Sequence, residues 1–158
     1  MKKIFALLMV CVLVTILSFG CGTKKRTRAT IYCMNDDNGN FIVYAFKDKK
    51  HDTRTLEDTT FEIFNGKTAK TYAEEVVIPS EIGGDEVKGI LNTAFEGCDE
   101  IESITIPSTI TIIDKGTFAG CSKDLVIKGE EGSEAEHFAK NNGFEFEEID
   151  DWLNIKEI

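Results

Sequence analysis

A five-residue phrase occurs twice in this chain: Ala94-Phe95-Glu96-Gly97-Cys98 returns as Thr117-Phe118-Ala119-Gly120-Cys121, 23 positions later. A second phrase is repeated too, Val76-Val77-Ile78-Pro79-Ser80 and Ile104-Thr105-Ile106-Pro107-Ser108, 28 positions apart because about five extra residues surround the segment "GGDEVK". A period in the twenties marks a repeat architecture, in which one unit cannot bury its apolar side alone and stacked units share a core. Both prolines of the chain fall in the same slot, where a fixed φ and a missing N–H end a strand and turn a corner.

Leu125-Val126-Ile127 reads as a third, shortened copy without the proline. Period-2 alternation then points Val76, Ile104 and Leu125 inward, together with Ile78, Ile106 and Ile127. Val77, Thr105 and Val126 are left facing outward as the candidate binding face. Phe95 is expected to stack on Phe118 and Cys98 on Cys121. Gly97 and Gly120 suit a tight turn that needs φ > 0 or little side-chain room.

The "AF-x-GC" corner followed by a "hydrophobic-x-IPS" strand resembles the BspA-like leucine-rich repeat family. The match covers residues 75 to 128 and extends into "GSEAEHFAKNNGFEFEEI", which looks like the closing segment of such proteins. Leu91 and Asp114 stand where the family carries glycine after the isoleucine of its step. The resemblance implies a mainly β fold: a short leucine-rich-repeat solenoid with an N-terminal β-strand cap and a helix-strand C-terminal closing segment. It also implies an exported or cell-surface bacterial protein that binds other proteins or cells, without catalysis.

The expected organisation is a signal peptide over 1–20, a polar tether over 21–30, an N-terminal β cap over 31–72, repeats over 73–128, and a closing segment with an acidic tail over 129–158. In the leader, Lys2-Lys3 precede an uncharged apolar run from Ile4 to Gly20, the pattern of a secretory signal. Cys21 directly after Gly20 resembles the acylated cysteine of bacterial lipoproteins, which would hold the chain on the extracytoplasmic face of the cell membrane. Two alternatives stay open. Ser18-Phe19-Gly20 also fits ordinary cleavage and secretion, and the uncharged span from Ile4 to Thr23 is long enough for an uncleaved helix. In the cap, "NDDNGN" reads as a hairpin turn between strand-like runs and not as a calcium loop, since an EF-hand register would put Met34 and Ala45 at ligand positions.

Charge and cysteine usage narrow the functions. The net charge is −10 and residues 1–20 hold only Lys2 and Lys3, so the rest carries −12. Such a surface repels nucleic acid phosphates. Cys98 and Cys121 read first as core thiols in a repeat corner, with a disulfide or a metal as the other readings. Neither His51 nor His137 has zinc-ligand spacing to them. Ala135, Phe138 and Ala139 form the apolar side of a helix in "SEAEHFAKN", leaving Glu134, Glu136 and His137 solvated rather than convergent as acid–base catalysis requires. The expectation is a non-catalytic module without cofactor or metal site, anchored through Cys21, that binds a protein or cell-surface ligand in adhesion. The alternative is an accessory envelope lipoprotein scaffolding another envelope protein.

Overall fold

The computed structural model describes residues 26–35, 41–54 and 67–150; the leader, Cys21 and most of the expected "NDDNGN" turn lie outside them. Among the described residues the strands are β1 (Arg28–Asn35), β2 (Phe41–Lys47), β3 (Lys67–Tyr72), β4 (Glu75–Val77), β5 (Glu81–Ile82), β6 (Asp85–Ile90), β7 (Ser103–Thr105), β8 (Ile112–Ile113), β9 (Val126–Gly129) and β10 (Glu145–Glu148), and a helix, α1, spans Glu134–Asn142. The fold is mainly β.

Two sheets enclose one core. The smaller runs β10-β9-β7-β4 and is parallel throughout. Strands β4 and β7 lead into the repeated "IPS" phrases, and Val76, Ile104 and Ile127 sit in one buried row. The larger runs β3-β1-β2-β6-β5, with β8 also on β6. Here Val43, Ile90 and Ile113 align inward across three parallel strands. On the opposite side of that sheet Gly89 lies between Ile42 and Ile112, and a Cβ on it would meet Ile42 Cγ2 at 3.2 Å. Strand β2, read from the sequence as part of the cap, pairs in parallel with β6 just as β8 does.

The extra residues of the first repeat form the β5–β6 hairpin. Glu81 pairs with Glu86 and Ile82 with Asp85 around Gly83 and Gly84, which have φ of 62° and 90°. Positive φ at both central residues is what a type I′ turn demands, and two glycines supply it without steric cost.

The corners are built on i→i+3 hydrogen bonds. Cys98 N–H donates to the Phe95 carbonyl and Cys121 N–H to that of Phe118, both at 3.1 Å. One corner is bonded to the next: Phe95 N–H reaches the Thr117 carbonyl at 3.1 Å, and Gly97 N–H that of Ala119 at 2.7 Å. Four rings stand in sequence along the core. Phe46 lies 5.3 Å from Phe95, Phe95 lies 5.4 Å from Phe118 at 16° between planes, and Phe118 meets Phe138 edge-on at 5.7 Å. Each such pair contributes about 0.5–1.5 kcal/mol beyond the burial of its area.

Helix α1 closes the C-terminal end. Ser133 caps its start, accepting from Glu136 N–H, and Gly143 at φ 75° ends it. Ala135, Phe138 and Ala139 are its buried residues. Gly129 occupies the slot of Ile78 and Ile106 because the helix arrives there: a Cβ on it would lie 2.9 Å from Ala135 Cβ.

The third copy needs a correction. The sequence aligns Leu125 with Val76 and Ile104, but in the structure Ile127 holds that row and Lys128 pairs with Thr105. The distance from corner to strand is conserved, nine residues from Phe95 to Ile104 and from Phe118 to Ile127, so the 23-residue period runs on unbroken. The slip is two residues. It leaves the inward and outward parity unchanged while moving every partner along the strand.

Candidate binding face

The outer side of the four-stranded sheet carries two rows. One is Val77, Thr105, Lys128 and Glu147; the other is Glu75, Ser103, Val126 and Glu145. Val77 and Thr105 are therefore neighbours, while Val126 stands one row away beside Ser103. Val77 and Val126 are half-buried. Thr105 is only 7% exposed, lying on an inner strand between Val77 and the long side chain of Lys128. Lys128 was missed by the sequence reading. The unbroken period from Phe118 was the signal that could have found it. Its ammonium is held 2.9 Å from Glu147 Oε2.

Acidic side chains border this face at both ends of the strands. Where the strands begin, Glu74, Asp99, Glu100, Glu102 and Asp124 line a groove of about 490 Å³. Where they finish, Glu130, Glu131, Glu134 and His137 line another of about 450 Å³. Crowding by Asp150, with burial and then Glu131 and Glu136, pushes the Glu148 carboxyl above its ordinary range. Arg26 illustrates how a cation is received: its guanidinium is 2.8 Å from Glu75 Oε2 and lies over the Tyr72 ring, while Thr27 N–H donates to Glu74.

A second charged cluster fastens the segment after β2 to the first corner. His51 Nδ1 is 3.1 Å from Asp48 Oδ2, and its Nε2 is 3.3 Å from Asp99 Oδ1. Lys50 reaches Asp99 at 2.8 Å, holding that carboxyl below its usual range. Asp48, whose side chain is 2% exposed, accepts the His51 and Lys50 backbone N–H groups. Burial raises its pKa, but these hydrogen bonds outweigh burial and leave the group below the ordinary value.

The two corner thiols are held in their protonated form. Burial pushes Cys98 up to about 12 and Cys121 up to about 11, so neither is a thiolate at neutral pH. Among the described residues no group of three or more His, Cys, Asp or Glu could hold a metal ion, and no helix is long and apolar enough to cross a membrane.

Repeated corners, parallel strands and the shared core agree with a comparison of the sequence against family models: the model of the BspA type leucine rich repeat region (6 copies) matches residues 40–142. The chain belongs to the BspA type leucine-rich repeat family. The match begins at the residue before β2, well ahead of the resemblance read over 75 to 128, in keeping with the parallel pairing of β2 on β6. Leucine-rich repeats typically act as non-enzymatic protein-interaction modules. No curated protein and no solved structure matches the chain.

Proposed function

We propose that this leucine-rich repeat protein is a short solenoid held at the cell surface by acylation of Cys21, where the outer face of its four-stranded sheet binds a protein partner in adhesion. The observation carrying this reading is the pair of rows, Val77-Thr105-Lys128-Glu147 and Glu75-Ser103-Val126-Glu145, laid in register across four parallel strands and bordered by carboxylates. Small uncharged side chains at the centre allow close backbone approach, and acidic borders favour a partner with basic side chains.

The face is small. Four strands at about 4.8 Å spacing and three or four residues long cover well under the roughly 800 Å² per partner of a standard interface. Single-copy binding is therefore weak, and useful adhesion comes from many anchored copies engaging one surface.

The test is capture by the immobilised full chain, with host matrix proteins compared against a bacterial envelope extract. Val77→Arg should abolish capture without lowering thermal stability, and raised salt should weaken it. Capture unchanged by Val77→Arg would move the site elsewhere. Fractionation tests the anchor: the chain should partition with membranes, and Cys21→Ser should release it or leave uncleaved precursor.

A further inference from the structure

The cysteines of the two corners are the remaining unused chemical groups that the repeat brings together. Their corners are bonded directly by the Phe95–Thr117 and Gly97–Ala119 hydrogen bonds. The approach is close enough that a Cβ on Gly120 would lie 3.3 Å from Gly97 Cα. The Phe95 carbonyl accepts both Cys98 N–H and the Cys121 thiol, each at 3.1 Å. Equivalent atoms of the two corners are thus offset by about one strand spacing, roughly 5 Å, inside the Cα range of a disulfide. The pair is asymmetric in access: Cys98 is fully buried and Cys121 is partly exposed.

We propose that Cys98 and Cys121 form a closable dithiol, which a disulfide donor of the glutathione type oxidises to a bridge between the two corners. Cys121, the accessible thiol, attacks one sulfur of the donor and forms a mixed disulfide, releasing one donor thiol. Cys98 then attacks the Cys121 sulfur, the mixed bond breaks, and the second donor thiol leaves. Two protein S–H groups are oxidised and one donor disulfide is reduced to two thiols, which carry away both protons. Because burial keeps both thiols protonated, closure is slow. The bridge staples the corner that carries Phe95 to the one that carries Phe118.

The experiment equilibrates the full chain with oxidised and reduced glutathione, natively and in urea, then alkylates it and maps peptides by mass spectrometry. Folding and bridging are linked, so the equilibrium constant for the bridge should be about 300-fold larger in the native protein, as expected for a loop of this size. A Cys98–Cys121 peptide should appear with Cys33, buried on β1, still alkylated. Cys121→Ser, partly exposed and mild, should abolish the linked peptide while the protein stays folded. A native constant equal to or below the urea value would overturn the proposal, as would bridging to Cys33.

Discussion

Phe95 and Phe118 stack at 5.4 Å with their planes 16° apart, although neither is near the other in sequence. Phe46 extends this column toward the N-terminus and Phe138 toward the C-terminus, so one column of rings passes from β2 through both corners to α1. Phe118 touches three other rings, Phe95, Phe138 and Phe144. Phe118→Ala should cost about 3–5 kcal/mol, read from urea denaturation. Phe144→Ala, at a partly exposed ring, should cost less than half as much. Equal losses would mean the column does not couple α1 to the corners.

Directly after β7, Ile106→Ala should cost about 2–5 kcal/mol by opening a cavity at a fully buried position. Thr105→Ala, one residue away on the opposite side of the sheet, should cost about 1 kcal/mol. Urea midpoints of the two variants settle the inward and outward assignment.

Two left-handed glycines, Gly120 in the second corner and Gly132 just before α1, separate strain from crowding. Gly120 and Gly132 have φ of 78° and 74°, but only Gly120 has a neighbour, the Gly97 backbone. Gly132→Ala should lose about 1–2 kcal/mol from the left-handed conformation alone. Gly120→Ala should lose clearly more, because backbone must shift. Thermal melts of the two variants measure the difference.

Thr93 has φ 66°, a left-handed conformation in a β-branched residue. This costs of order 1–3 kcal/mol; its repeat equivalent, Gly116, does not share the positive φ. Thr93→Gly should raise the melting temperature, corresponding to about 1 kcal/mol after the glycine's entropy is offset. A lowered melting temperature would show that the threonine side chain contributes more than its strain costs.

Acid should loosen the clamp between the β2 end and the first corner. The folded pKa of Asp48 is depressed, so its stabilisation is complete above the unfolded value of about 3.9 and is lost as pH falls through the folded value. Urea midpoints taken from pH 7 down to pH 2 should fall below about pH 4. Asp48→Asn should flatten that fall; an unchanged slope would assign acid sensitivity to other carboxylates.

Much of the architecture was legible because repeats write the same local chemistry twice. The doubled "GC" and "IPS" phrases located the corners and strands, and alternation placed Ile104 and Ile106 inside. The candidate site was less legible. Val77 and Thr105 were identified as neighbours, but Val126 was put in their row and Lys128 overlooked, because a two-residue slip preserves alternation and so leaves no trace in the hydrophobic pattern. The His51 clamp went unread: it joins Asp48 and Asp99, on segments about 50 residues apart, with no spacing that marks them as partners.

The sequence by itself determined the repeating unit, its turn glycines and the face each strand residue shows, since these follow from local sterics and the strand's two-residue period. Only the tertiary structure decided which residues share a row, that β2 joins the stack through β6, that Phe46 begins the ring column, and that Gly129 must be small where Ala135 arrives. Those outcomes depend on how distant segments meet in a close-packed core, and packing between them is a property of shape that no single stretch of chain encodes.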